Sequence, residues 1–307
     1  MNPLPQPLRD AMTVFERGWL SSNNVLFASA EGTAIVDTGY AAHAPQTLAL
    51  VQQTLGARPL DLIVNTHLHS DHCGGNALLQ RTYACDTLVP AGDAQAVRAW
   101  DEEALSFRAT GQHCERFALS GTLAQGATLE LGGFAWNALG APGHDPHSLM
   151  LYSPEMRVLI SADALWENGF GVIFPELEGE SGFVEARAVL DLIATLDIDV
   201  VIPGHGAPFT DVARALDTAV SRLDYLQADP ARNAKNALKV LIVFRLMEVR
   251  TMTLDAIVAM TAEARAMRAA AEALAPAAQR RALLEKIVGE LARSGAVKVS
   301  GECVSAA

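Results

Sequence analysis

Thr66-His67-Leu68-His69-Ser70-Asp71-His72 places three histidines and an aspartate within six positions, directly behind the apolar run Leu62–Val64. Imidazoles and carboxylates at the end of a buried strand lose water, and that loss is costly unless each group is paired or coordinates an ion. A lone histidine is readily satisfied by one neighbour, whereas a cluster of this density needs a common partner. His67 and His69 are two apart, so in extended or loop backbone they can converge on one ion. Asp71 and His72 turn the other way and can hold a second. Neutral imidazole with carboxylate suits zinc, with iron and manganese as alternatives. Gly74-Gly75 then allows a sharp turn into a helix.

The surrounding pattern supplies a scaffold for such a site. Val25–Ser29 and Thr33–Asp37, separated by Ala30-Glu31-Gly32, read as a hairpin, and so do Ala127–Leu131 and Phe134–Leu139 around Gly132-Gly133. Leu149–Tyr152, Val158–Ser161 and Val200–Pro203 are further strand-like runs. Ala42–Leu55, Gly75–Gln80, Asp93–Leu105 and Phe183–Leu196 carry helical periodicity. Hairpins mixed with crossing helices predict sheets covered by helices on their outer faces. From Val212 the chain becomes Ala-, Leu- and Arg-rich, with helices expected over Val212–Gln227, Ala234–Val249, Leu254–Met260 and Pro276–Ser294, then Gly295 and a strand Val297–Ser300. The Ala-rich stretch Ala262–Ala278 reads as a solvated helix. The expected division is residues 1–210 and 211–307.

Half the residues are hydrophobic and 19% are charged, which excludes a disordered chain. Met1–Arg9 lacks a basic stretch followed by an apolar run, so no signal peptide is expected, and no apolar run approaches the roughly 20 residues of a membrane span. Four cysteines, Cys73, Cys85, Cys114 and Cys303, show no paired spacing, which fits a reducing cytoplasm. Residues 1–210 hold 9 Arg, no Lys and 24 Asp plus Glu, a net of −15, and residues 211–307 hold 14 Lys plus Arg and 11 Asp plus Glu, a net of +3, together the −12 of the chain. An acidic first half disfavours polyanionic partners.

Three later segments each set one further ligand type behind a strand: Pro142-Gly143-His144-Asp145-Pro146-His147-Ser148, Ser161-Ala162-Asp163 and Pro203-Gly204-His205-Gly206. In this order, over residues 20–206, HLHSDH, PGH, a strand-end Asp and PGHG resemble the metallo-β-lactamase superfamily. The resemblance implies an α+β chain built as an αββα sandwich with a two-metal site at one edge. It assigns His67, His69 and His144 to the first ion, Asp71, His72 and His205 to the second, and Asp163 to both. Asp71 is read as catalytic as well as ligating. Asp37, in Ile35-Val36-Asp37-Thr38-Gly39, matches an aspartate that the family places beneath the metals; a plain turn residue before Gly39 is the other reading.

The His72/Asp163 pattern is similar to the glyoxalase II, lactonase and ribonuclease branches, so antibiotic hydrolysis is not the first expectation. The last third resembles the helical, winged-helix extension of some hydroxyacylglutathione-hydrolase-like and endoribonuclease-like members. His147 stands where the family commonly has Gly, as either a substrate contact or a surface histidine. Two ions about 3.5–4 Å apart can share a water and bring its pKa towards neutrality, and the resemblance implies that this bridging hydroxide attacks the substrate. Cys73 beside the ligands reads as a packed thiol. Trp166, Phe170, Phe174 and Tyr40 are candidate walls for a partly apolar acyl group. The leading expectation is a cytoplasmic dinuclear metal hydrolase, most simply with zinc, acting on a small ester, thioester or lactone carbonyl. A phosphodiesterase or endoribonuclease is second, a non-catalytic protein whose winged helix binds DNA is third, disfavoured by the complete ligand set, and an iron-dependent sulfur dioxygenase is fourth. No nucleic-acid or membrane partner is expected, and self-association as a homodimer is open.

Overall fold

The computed structural model describes residues 3–307; the reading of Met1–Arg9 begins on Met1 and Asn2, which lie outside the described residues. Two sheets pack face to face. The first runs β1 (Met12–Phe15), β2 (Asn24–Ser29), β3 (Gly32–Val36), β4 (Leu62–Val64), β5 (Asp86–Pro90) and β6 (Gly121–Leu123), in that spatial order. Its first three strands are antiparallel, and from β3 to β6 the pairing is parallel. Parallel neighbours need crossover connections, here the helices Ala44–Leu55 and Asn76–Tyr83. The second sheet holds β7 (Thr128–Leu131), β8 (Phe134–Gly140), β9 (Leu149–Ser153), β10 (Val158–Ala162) and β11 (Val200–Pro203), in the order β11-β10-β9-β8-β7. Only β10 and β11 are parallel, joined through the helix Phe183–Ala194.

The inner faces interdigitate through Val25, Phe27, Val36 and Val64 of one sheet and Trp136, Leu151, Ile160 and Ile202 of the other. Trp136 is fully buried and its Nε1 donates to Leu131 O at 3.1 Å, so the ring fills the core without stranding a donor. Outside the first sheet, Val51, Leu55 and Leu79 cover Leu26, Ile35 and Ile63. Outside the second, Val189, Leu190 and Ile193 cover Met150, Leu159 and Val201. The order helix, sheet, sheet, helix is the expected αββα sandwich. Strands β9 and β10 are buried along their whole length, which explains their unbroken apolar runs in place of alternation.

After the sandwich come the helices Pro230–Val249, Leu254–Glu263, Arg265–Glu272 and Arg280–Arg293, with β12 (Thr251–Thr253), β13 (Val297–Ser300) and β14 (Cys303–Ala306) in an antiparallel sheet ordered β12-β14-β13. Their shared core runs from Ala234 and Leu238 to Leu284, Ile287 and Val304. The helix Val212–Gln227 does not belong to that core: Ala215, Ala219, Leu223 and Leu226 pack with Leu190 and Ile193 against the second sheet. We therefore propose that the chain divides close to Asp229, after this helix.

Other expectations need correcting. The helix expected over Asp93–Leu105 spans only Ala94–Ala99, because Trp100 turns left-handed (φ 53°) to set its ring against Phe107 and Phe117. Nor is the Ala-rich stretch a solvated helix: in Arg265–Glu272, Ala266, Met267, Ala270 and Ala271 are buried, and the three alanines let the helix approach Pro230–Val249 closely. Strands β1, β5, β6, β12 and β14 lie outside the strand-like runs of the sequence; β6 is three residues long and buries only Leu123, too little for a periodic signal.

Candidate metal centre

Strands β3, β4, β8, β10 and β11 all end at the same edge of the sandwich, and each is followed by one or more of the expected residues. Asp37 follows β3, His67 and His69 follow β4, His144 follows β8, Asp163 follows β10 and His205 follows β11. Asp71 and His72 lie in the short helix Ser70–Cys73 that continues the β4 loop. The structure brings seven of these side chains into two adjoining groups, His67-His69-His144 and Asp71-His72-Asp163-His205, all buried, with the facing atoms of each group within 4.8 Å of one another.

In the first group His69 Nδ1 lies 3.1 Å from His67 Nε2 and 2.7 Å from His144 Nε2. His144 Nδ1 donates to Val172 O at 2.5 Å, which leaves the Nε2 lone pair aimed into the group. Burial holds His67 well below the usual imidazole range, lowers His69, and brings His144 down to about 4. All three rings turn a nitrogen into the group, and the lowered pKa values favour the neutral imidazole, the form that binds a metal.

The second group is richer in carboxylate. His205 Nε2 stands 3.0 Å from Asp71 Oδ2, and His72 Nε2 lies 3.9 Å from Asp71 Oδ2 and 3.4 Å from Asp163 Oδ1. Burial draws the His72 imidazole down, but Asp163, Asp37 and Asp71 outweigh it and hold it well above its usual value. Burial likewise pushes Asp163 up, and His72 and His205 reverse this to leave it well below the carboxylate range. This group gathers negative charge that calls for cations. His72 Nε2 is buried without a hydrogen-bond partner, a donor-acceptor atom left for something the protein itself does not supply. The residues therefore fit metal binding.

Asp163 touches both groups: its Oδ1 faces His72 and its Oδ2 lies 3.4 Å from His144 Nε2. Gly204 makes the approach feasible, since a Cβ there would stand 2.2 Å from Asp163 Oδ1. Trp166 Nε1 donates to the same oxygen at 3.2 Å. Beneath the site, Asp37 takes a left-handed turn conformation (φ 57°) and presents both carboxylate oxygens to its neighbours. Its Oδ1 accepts Thr66 N at 2.9 Å, and its Oδ2 accepts Thr66 Oγ1 and His72 Nδ1, each at 2.7 Å. That bond fixes the His72 tautomer, with Nε2 free to bind. Cys73 is fully buried, donates towards Leu68 O and His69 O, and packs on Cys114, as a structural thiol should.

A cavity of about 610 Å³ opens over the two groups. Trp166, Phe170 and Phe174 line it. Tyr40 and His147 do not. Tyr40 is fully buried, its ring edge-on to Phe244 at 5.4 Å and its hydroxyl accepting His113 N. His147 turns away to Asp93, 2.7 Å from its Oδ1, over Gly92, where a Cβ would strike the imidazole at 2.3 Å. Sequence reasoning missed Trp19, which stacks on His205 with ring centres 5.5 Å apart and meets Trp166 edge-on. It also missed the far wall, formed by Asn236, Lys239, Val240, Phe244 and Met247 of the helix Pro230–Val249.

Two His/Asp metal-binding groups at the strand-end edge of an αββα sandwich define a metal-dependent hydrolase of the dinuclear kind. The chain belongs to the metallo-beta-lactamase superfamily, whose family model matches residues 17–205. It is 30% identical over 112 residues to a hydroxyacylglutathione hydrolase of Hyphomonas neptunium, 36% of each chain, so the match spans about a third of that relative. It is 30% identical over 228 residues to a hydroxyacylglutathione hydrolase of Anaeromyxobacter dehalogenans, 72% of this chain and 78% of the relative. Among solved structures, a metallo-beta-lactamase family protein of Thermus thermophilus superposes with a TM-score of 0.57 over 97% of this chain and 99% of that one, and at 20% identity this is a likeness of fold. No helix among the described residues is long and apolar enough to cross a membrane.

Proposed function

We propose that the chain hydrolyses a small ester, thioester or lactone. His67, His69 and His144 would hold one divalent ion, Asp71, His72 and His205 a second, and Asp163 would reach both. Asp163, with one oxygen facing each group, is the observation that carries the two-ion assignment. The ions, zinc in our reading, would supply an activated water at neutral pH and polarise a carbonyl oxygen. The chain's own work is positional. Asp37 and Val172 O orient two imidazoles, Trp166 steadies Asp163, and Phe170 and Phe174 exclude water from an apolar acyl group. The names of the hydroxyacylglutathione hydrolases support an acyl substrate.

Charge favours a small substrate over RNA. Among the described residues the cavity is lined by two Lys or Arg side chains, Arg222 and Lys239, and Lys239 pairs with Glu290. What remains is not an extended phosphate track. We read the region after Asp229 as a winged-helix-like module that walls the cavity and binds neither DNA nor membrane, in a cytoplasmic enzyme; a homodimer contact is a further role for it. The test measures metal content of the purified protein, then compares thioesters, esters, lactones, a phosphodiester dye and single-stranded RNA at matched metal and salt. Near two zinc ions per chain with acyl hydrolysis fastest is expected. RNA cleavage that outpaces every acyl substrate would overturn the reading, and a single iron per chain would favour the dioxygenase alternative.

A further inference from the structure

One cation on the cavity wall has no counter-charge among the described residues. Arg222, on the helix Val212–Gln227, lies with its guanidinium carbon 5.5 Å from the centre of the Phe170 ring. Gly169 leaves room for it, since a Cβ there would come within 2.9 Å of Nη1. Arg222 forms neither an ion pair nor a hydrogen bond among the described residues. Its neighbours behave differently: Arg187 is bonded to Asp224, Arg214 to Glu167 and Asp211, and Lys239 to Glu290. Burial lowers the Arg222 pKa with no carboxylate to offset it. A partly desolvated guanidinium without a partner is costly. The same cavity also holds Asn236, whose buried Nδ2 has no hydrogen-bond partner.

We infer that Arg222 anchors a terminal oxyanion, a carboxylate or a phosphate monoester, on the acyl or leaving arm of the substrate, with Asn236 as a second donor. This rests on the acyl-hydrolase reading of the same cavity. With its guanidinium carbon over the Phe170 ring and no carboxylate paired to it, Arg222 has N–H donors left for a planar or tetrahedral oxyanion, the group that arginine recognises best. One uncompensated charge suits one terminal anion and does not suit a polymer. The apolar wall of Phe170, Phe174 and Phe244 would carry the methylenes between that anion and the reacting carbonyl. The substrate is then amphipathic, with a reactive carbonyl at the metals, a short apolar spacer and a charged end.

The test uses the full-length, metal-loaded protein and matched thioesters of one thiol: hexanoyl, 5-carboxypentanoyl and an acyl chain ending in a phosphate monoester. A second pair carries the carboxylate on the thiol arm. A charge-assisted hydrogen bond is worth about 1.5–3 kcal/mol, so kcat/KM should favour one anionic member by roughly 10–100-fold over its neutral partner. Which member is favoured identifies the anion and the arm. Arg222→Gln should collapse that ratio chiefly through KM, and Arg222→Lys should restore part of it. Calorimetry supplies a readout without turnover: adipate should bind more tightly than hexanoate, and Arg222→Gln should remove the difference. If thioesters are hydrolysed but no anionic member is preferred, or the preference survives both variants, the anchor is overturned while the hydrolase reading stands. If no thioester, ester or lactone is hydrolysed, the hydrolase reading fails, and equal binding of adipate and hexanoate would dismiss the anchor independently.

Discussion

At the metal end of the cavity the side chains come from loops and one short helix that follow strand ends; at the far wall, Asn236, Val240, Phe244 and Met247 come from one long helix of the last third. The two ends also differ in how firmly each group is held. His72 is fixed by Asp37, Asp37 by Thr66, and His144 by Val172 O, and all are buried. On the wall, Val240 is 40% exposed and an apolar side chain there has many acceptable replacements. One end must hold atoms to a fraction of an ångström, while the other need only be apolar and the right size. Changes at the first should act on turnover and metal retention, and changes at the second on KM.

The largest effect is expected from Asp163→Ala. It removes the carboxylate that reaches both groups, so kcat/KM should fall by about 10³-fold or more, and bound metal should drop below two per chain. The melting temperature should change little, because Asp163 sits at the sheet edge and not in the apolar core. Near-normal activity at saturating zinc would break the comparison at its strongest point. Asp37→Asn comes next. Asn tolerates the left-handed backbone at this position and keeps the size of the side chain, but it loses the carboxylate that orients His72. Zinc affinity should weaken by roughly 10–100-fold, with activity recovering as zinc is raised. Activity that stays lost at high zinc would show Asp37 acting on the reaction itself.

For the wall, Phe244→Ala should raise KM for a hexanoyl ester by roughly 3–10-fold with kcat within about twofold, on the scale of about 0.8 kcal/mol per buried methylene removed. Phe244 also supports Tyr40 edge-on, so a modest loss of stability should accompany it. If kcat falls as far as in the metal-end variants, the wall is not separable from the chemistry.

The same contrast explains what could be read from the chain beforehand. The metal end was legible because its ligands sit in short local motifs, each beside an apolar run that names its strand: Leu62–Val64 before His67, Val158–Ala162 before Asp163, Val200–Pro203 before His205. The expected set His67, His69, Asp71, His72, His144, Asp163 and His205 lies together in space. The wall was not legible, because helical periodicity separates buried from exposed positions but does not say what faces them. Arg222 and Asn236 look like any other polar residues of solvated helices until the sandwich places Phe170 and the cavity beside them. Val212–Gln227 was grouped with the last third on composition, yet Leu223 and Leu226 fill the outer layer of the sandwich. Tyr40 went astray for a related reason. It follows the Asp37 turn in sequence, but Ser21 Oγ accepts its backbone N–H at 3.0 Å and its ring is drawn behind the wall.

The smallest effect should come from His147, which stands between the two ends in sequence interest and belongs to neither in space. Its ring is 45% exposed and bonded to Asp93, so His147→Ala should change kcat/KM by less than about threefold. Its contribution is to stability, and that contribution has a sign. The hydrogen bond to Asp93 raises the imidazole above its ordinary value, against burial that lowers it. Burial pushes the Asp93 carboxyl up, and the bond from His147 draws it back only in part. A histidine raised in the folded state stabilises fully below its unfolded value, about 6.5, and loses that contribution as pH rises through the folded value. The low-pH end of the window closes where Asp93 takes up a proton. His147→Ala should therefore lower the melting temperature slightly near pH 6, by an amount equivalent to less than about 1 kcal/mol as for an exposed ion pair, and not at all near pH 9. Melting curves of both proteins at the two pH values decide it. A deficit that is the same at both, or larger at high pH, would mean that packing over Gly92 and not charge is what His147 contributes, and a large loss of activity would return His147 to the substrate side of the molecule.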